Sequence, residues 1–236
     1  LAFAFRREFM IVLENVSKIY KNGTKALNDF SLEIEDGEFV YVIGETGSGK
    51  STLIKLLNGE EIPTKGRVLV NGINVGRLRF GKVPLYRRKI GVVFQDYQLL
   101  KKKTTFDNIA FALEVINKPK NEVRARVKEV LEIIGMSNEF NSYPTQLSGG
   151  QQQRVVIGRA IANKPAILIC DEPTGNLDPR HSKEIIELLE KINKSGTTII
   201  VVTHDDVLVD TYRKRTILLD NGSIISDNPE GGYSHV

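Results

Sequence analysis

The octet Gly44-Glu45-Thr46-Gly47-Ser48-Gly49-Lys50-Ser51 constrains this chain more than any other stretch, because of what flanks it. Phe39 to Ile43, just before it, is a short continuous apolar run of the kind that fills a buried strand. Leu53, Ile54, Leu56 and Leu57, just after it, recur at helical spacing. A glycine-rich loop joining a buried strand to a helix is the setting in which G-x-x-x-x-G-K-[ST] cradles phosphate. Backbone N–H groups turn inward there, and the helix N-terminus adds its positive end. Lys50 is expected to reach the β and γ phosphates of ATP and the Ser51 hydroxyl to bind Mg2+. Gly44 through Gly49 and Thr52 complete the expected nucleotide cradle.

The rest of the chain reads as an α/β protein. Ile11 to Leu13, Ser31 to Ile34, Arg67 to Val70 and Ile90 to Phe94 have strand character. Between about Thr104 and Asn141 the pattern turns helical, with Val123, Val127, Val130, Leu131 and Ile134 on one face and Gly135 as the stop. Strand and helix then alternate through Ala166 to Cys170, Ser182 to Ile192 and Thr197 to Thr203, as in a covered parallel sheet. Asn221-Gly222 between two apolar runs signals a hairpin.

Phosphoryl transfer needs a carboxylate near the phosphates, and Ile167-Leu168-Ile169-Cys170-Asp171 places one where a buried strand meets its loop. Asp171 is the second candidate Mg2+ ligand. Glu172 beside it can orient and partly deprotonate an attacking water. Two adjacent acids also suit a loop cap, a reading the phosphate loop in the same chain makes the lesser one.

Leu147-Ser148-Gly149-Gly150-Gln151 precedes Asp171-Glu172. With this pentapeptide in place, the chain resembles the ATP-binding subunits of ABC transporters over about Met10 to Gly222. The resemblance implies a P-loop NTPase core with a mixed β-sheet, an N-terminal antiparallel β subdomain and a helical subdomain, about 98–160, inserted in a RecA-like core. It implies that Ser148, Gly149, Gly150 and Gln151 bind the γ-phosphate of ATP held by another copy, in a homodimer closing head-to-tail over two ATP molecules. By the same resemblance Tyr20 stacks on adenine, Gln95 is the Q-loop glutamine that also contacts Mg2+, and Asn176-Leu177-Asp178 forms the D-loop. His204 then senses the γ-phosphate and joins Glu172, Gln95 and Lys50 as the catalytic set. Read without the resemblance, Tyr20 also suits a strand aromatic, Gln95 a polar strand end and His204 a turn cap. The D-loop here reads GNLD rather than the commoner SALD, which touches the detail of protomer contacts and not their kind.

Within that family, PLYRRKIGVVFQDYQLL from Pro84 to Leu100, the KKKTTFDNIAFALEVI that follows, and DEPTGNLDP are similar to the bacterial cell-division FtsE group. That likeness implies an integral membrane partner of the FtsX type, a peripheral position on the cytoplasmic face of the membrane at the division site, and ATP-driven activation of peptidoglycan hydrolases. The ATPases of lipoprotein-release and macrolide-efflux systems share much of the GNLD pattern and are the near alternative. A soluble ABC ATPase acting on nucleic acid is the distant one, since this chain has neither long coiled-coil insertions nor a second cassette.

Composition sets limits rather than identity. With 33 basic and 29 acidic residues the net charge is +4, far from the density of a dedicated nucleic-acid binder, so no nucleic-acid partner is expected. The single cysteine, Cys170, cannot close an internal disulfide, and no apolar run nears the ~18 residues a membrane span requires, so the cytoplasm is the expected compartment. Residues 1–9 read as a remnant ahead of a natural start at Met10, leaving 10–236 as a single ATPase domain. Lys101-Lys102-Lys103 suits either anionic headgroups and acidic partner loops or an ordinary solvated turn.

Overall fold

The computed structural model describes residues 9–233. Apart from Phe9, the segment expected to be a remnant lies outside the described residues. The chain opens with β1 (Phe9–Ile19) and β2 (Lys25–Glu35), continues through β3 (Phe39–Ile43), α1 (Lys50–Leu57), β4 (Lys65–Val70) and β5 (Ile73–Asn74), then α2 (Val83–Arg87) and β6 (Ile90–Val93). Three helices follow: α3 (Thr105–Glu114), α4 (Lys120–Ile133) and α5 (Gly149–Ile161). The last part comprises β7 (Ile167–Asp171), α6 (Pro179–Lys194), β8 (Thr198–Val202), α7 (Asp206–Thr211), β9 (Arg215–Asp220) and β10 (Ser223–Asn228).

Two sheets result. One is antiparallel, in the order β2-β1-β4-β5; the other is mixed, in the order β10-β9-β3-β8-β7-β6, with β3, β6, β7, β8 and β9 parallel and β10 antiparallel at one edge. β3 shows how the layers meet. All five of its residues are buried, and the alternation of a strand sends Phe39, Tyr41 and Ile43 into one apolar cluster and Val40 and Val42 into another. The first cluster takes in Val123, Val127, Val130 and Leu131 of α4 with residues of α3, α5 and α6; the second takes in Leu53, Ile54, Leu56 and Leu57 of α1 and the inner face of the antiparallel sheet. The continuous apolar runs of β3, β7 and β8 are therefore those of strands covered on both faces.

Local chemistry fixes the element ends. Thr104 caps α3 reciprocally: its Oγ1 accepts from Asp107 N–H at 3.1 Å, and Asp107 Oδ2 accepts from Thr104 N–H at 3.3 Å. Gly135 follows α4 at φ 68°. The hairpin between β9 and β10 turns on Asn221 and Gly222, both at positive φ, with Asp220 opposite Ser223. The strands β1 and β2 run well beyond the stretches that polarity alternation marks. Asn15 and Asp29 adopt φ 47°, and the register shifts between Leu13 and Val16, so the two-residue period is reset within each strand. The helix α7 is an element that the sequence reading lacked; it is six residues long and capped by Asp205, whose Oδ1 accepts from Leu208 N–H at 3.0 Å.

Candidate active site

The parallel strands β3, β7 and β8 end at one edge of the mixed sheet, where the crevice of an open α/β sheet binds ligands. A cleft of about 460 Å³ opens there. It is lined by Thr46, Gly47, Gly49, Lys50, Ser51 and Thr52 from the loop and α1, by Gln95 after β6, by Asp171 at the end of β7 and Glu172 after it, by His204 after β8, by Tyr20 and Thr24 from the turn between β1 and β2, and by Lys25 and Ala26 at the start of β2.

The loop is a glycine structure by necessity. Gly44 sits at φ 146°, and a Cβ there would lie 2.2 Å from the Leu219 carbonyl oxygen; Gly49 caps α1 at φ 112°, where a Cβ would meet the Ala26 carbonyl oxygen at 2.7 Å. The first turn of α1 contains no acid, so its N–H groups and dipole face the cleft uncompensated. Lys50 Nζ donates to the carbonyl oxygens of Gly44 and, at 2.8 Å, of Glu45. Burial pushes the Lys50 ammonium below the usual lysine range, opposed by Glu172 and Asp171. The Asp171 carboxyl is pushed upward, first by burial and then by Glu172, with Lys50 pulling the other way.

Glu172 is the most constrained of these residues. Its backbone is held at φ 47°, an uncommon conformation for a non-glycine residue, by an N–H bond to the Val202 carbonyl at 2.8 Å. Its side chain, 12% exposed, is gripped at both oxygens. Thr203 Oγ1 donates to Oε2 at 3.3 Å, and His204 Nδ1 lies 2.7 Å from Oε1. The imidazole itself is 73% exposed and leads into the cleft. Thr203 was absent from the sequence-derived set; its place next to His204 at a strand end was the available signal.

Tyr20 lies across the cleft from the carboxylates, its hydroxyl 3.2 Å from Thr52 Oγ1 and its ring below Lys18 Nζ at 5.1 Å. Ser48 is buried and its hydroxyl has no protein partner among the described residues. Thr24, Lys25 and Ala26 also escaped the sequence reading; no local spacing marks them, and the pairing of β1 with β2 carries them to the cleft.

The remaining candidates lie elsewhere. Ser148 caps α5 reciprocally with Gln151: its Oγ accepts from Gln151 N–H at 3.3 Å, while Gln151 Oε1 accepts from Ser148 N–H at 2.9 Å. Asp178 caps α6, accepting from the N–H groups of Arg180 at 3.0 Å and His181 at 3.1 Å, with His181 Nδ1 against its other oxygen. The two caps are neighbours, since Gly150 packs on the His181 ring and Gly149 lies near Leu177. None of Ser148, Gly149, Gly150, Gln151 or Asp178 lines the cleft that holds Lys50.

Ser51, Gln95 and Asp171 offer only oxygen donors suited to a hard cation, and Mg2+ characteristically takes one or two carboxylates, substrate phosphates and waters. Among the described residues there is no group of three or more His, Cys, Asp or Glu poised for a metal.

The ABC transporter family model matches residues 27–175, which takes in the loop, the helices α1 to α5 and the Asp171-Glu172 pair. The cell-division ATP-binding protein FtsE of Bacillus subtilis is 49% identical over 224 residues, covering 95% of this chain and 98% of the relative. The chain belongs to the ABC transporter family, among its FtsE proteins. The FtsE of Mycobacterium tuberculosis is likewise 49% identical, over 95% of this chain and 98% of its own. Among solved structures, the ATP-binding cassette MJ0796, a dimer in a post-hydrolysis state bound to ADP and Pi, superposes with a TM-score of 0.84 at 38% identity, covering 95% of this chain and 100% of that one. This FtsE-family chain is an ATP-hydrolysing subunit with the mixed α/β architecture of an ABC nucleotide-binding domain.

Proposed function

We propose that this chain hydrolyses ATP as one half of a head-to-tail homodimer and that the resulting shape change drives an FtsX-like integral membrane partner in bacterial cell division. The observation that carries the dimeric reading is the incompleteness of the cleft. Lys50, Ser51, Gln95, Asp171, Glu172 and His204 converge on it, while Ser148 to Gln151 and Asp178 stand on two adjacent helix N-termini outside it. Such N-termini bind anions, and a second copy can bring them to the open side of the first copy's nucleotide. The residues from 10 to 236 then act as one ATPase domain, with about 98–160 as a helical subdomain within it.

Tyr20 stacks on the adenine while the loop N–H groups and Lys50 hold the phosphates. Ser51, Asp171 and Gln95 would hold Mg2+, which would supply neutralisation of charge on the phosphate oxygens. Glu172 orients a water for in-line attack on the γ-phosphorus and accepts its proton as the bond to ADP breaks. Thr203 and His204 keep the two carboxylate oxygens aimed, and the exposed His204 ring together with Gln95 reports the presence of the γ-phosphate. Among the described residues no helix is long and apolar enough to cross a membrane, so mechanical work across one is delivered through another polypeptide at the cytoplasmic face. Similarity to the FtsE proteins supports cell division as the setting and peptidoglycan hydrolases as the enzymes activated.

Affinity capture from detergent-solubilised membranes of the native host, with Glu172→Gln as bait, tests the partner. Recovery of an FtsX-like protein with a large extracellular domain, accompanied by a cell-wall hydrolase, is the expected result. Recovery of a lipoprotein-release or efflux permease instead would move the function to transport.

A further inference from the structure

Charge is unevenly distributed along this chain. From Ile62 to Gln95 there are eight basic residues, namely Lys65, Arg67, Arg77, Arg79, Lys82, Arg87, Arg88 and Lys89, and no acidic one. Since the whole chain carries +4, the remainder carries 4 minus 8, or −4. The six bases from Arg77 to Lys89 are all exposed, and none forms an ion pair with a described carboxylate.

The structure holds this stretch firmly from beneath. Val75 and Tyr86 are buried, the Tyr86 hydroxyl donates to the Leu57 carbonyl at the C-terminal end of α1, and Arg87 Nε donates to the Asn58 carbonyl at 3.0 Å. Between these anchors the chain turns outward. Phe80, flanked by Arg79 and Lys82, is 96% exposed, and Leu85 in α2 is 45% exposed. The segment lies at the opposite end of α1 from the phosphate loop and contributes no residue to the cleft.

An aromatic projecting fully into solvent between unpaired bases matches a surface on which cations meet anionic headgroups and an apolar side chain enters the acyl boundary. A nucleic-acid backbone or a polyacidic segment would satisfy the charges, whereas an anionic bilayer meets the charges and takes Phe80 and Leu85 into its acyl boundary together. We infer that residues 77–89 form a docking surface for an anionic phospholipid bilayer, seated through Arg77, Arg79, Lys82 and Arg88 with Phe80 inserted. The chain thus has a membrane contact of its own, independent of any integral partner.

The full chain contains no tryptophan, so Phe80→Trp supplies a single fluorescent reporter. With vesicles of phosphatidylglycerol and phosphatidylcholine, its emission should shift to shorter wavelength and be quenched by bilayer-resident bromolipid; with phosphatidylcholine alone it should do neither. Cosedimentation of the otherwise native chain should show salt-sensitive binding to the anionic vesicles. Each base near such a surface strengthens partitioning roughly fivefold, so Arg77→Gln, Arg79→Gln and Lys82→Gln together should weaken it roughly a hundredfold while ATPase activity is retained. Equal binding to both vesicle types, no binding, or unchanged binding by the triple variant would overturn the assignment. So would salt-sensitive capture on poly-glutamate or DNA with no fluorescence response to vesicles. No membrane partner enters these assays, so their outcome is separate from that of the affinity capture.

Discussion

At the scale of single residues the site holds groups in states they would not choose alone. The Asp171 carboxyl has a folded pKa above its unfolded value, so proton uptake favours the folded chain as pH falls through the folded value, and the ionised carboxylate is a stability cost above it. Replacing Asp171 with Asn should therefore raise the melting temperature of the nucleotide-free chain by a few degrees at neutral pH. The gain should vanish below the ordinary aspartate range near pH ~4, with Mg2+-dependent hydrolysis lost throughout. Calorimetry across pH, paired with phosphate release, reads both. Lys50→Ala removes charge-assisted contacts and should weaken ATP binding by roughly ten- to a hundredfold in equilibrium titration, with little change in melting temperature. That Lys50, Ser51 and Asp171 share one cleft could be anticipated because the phosphate-loop motif is local and Asp171 sits at the end of an apolar run. The grip of Thr203 and His204 on Glu172 was not, because it depends on β7 and β8 lying side by side, which no spacing encodes.

At the scale of elements the caps tie folding to function. The loop is built so that α1 begins at Gly49, with backbone of the antiparallel sheet pressed against it. Gly49→Ala should lower both stability and nucleotide affinity, since the new methyl meets the Ala26 carbonyl in a conformation an L-residue resists. The cap of α3 has a different reach. Asn108, buried in that helix, accepts from Leu100 N–H at 2.8 Å and donates to the carbonyls of Leu100, Lys103 and Thr104, fixing the turn that follows Gln95. Thr104→Ala should cost about 1 kcal/mol in denaturant unfolding and leave ATP affinity unchanged. Long periodic or fully buried elements such as β3 and α4 could be read almost residue by residue. The strands β1 and β2 could be read only in pieces because their bulges interrupt alternation, and α7 is too short to show a period.

At the scale of the whole molecule, Arg154 ties α5 to the end of α4 and to α6. Its guanidinium donates to the Ile134 carbonyl after α4 at 3.0 Å and to Glu184 of α6 at 3.0 Å, from a helix whose N-terminus carries Ser148. The N-termini of α5 and α6 lie side by side outside the cleft that holds Lys50, Asp171 and Glu172. The architecture was legible in the motifs, whereas the distance of Ser148 to Gln151 and Asp178 from the Lys50 cleft within one chain was visible only in three dimensions. The central claim is that Glu172 activates the water in a site completed by a partner copy. The most direct measurement is ATP turnover and molecular mass of Glu172→Gln in MgATP, by phosphate release and light scattering. The account predicts turnover reduced at least a hundredfold, retained nucleotide binding and accumulation of a dimer; wild-type turnover, or a monomer that binds ATP, would contradict it.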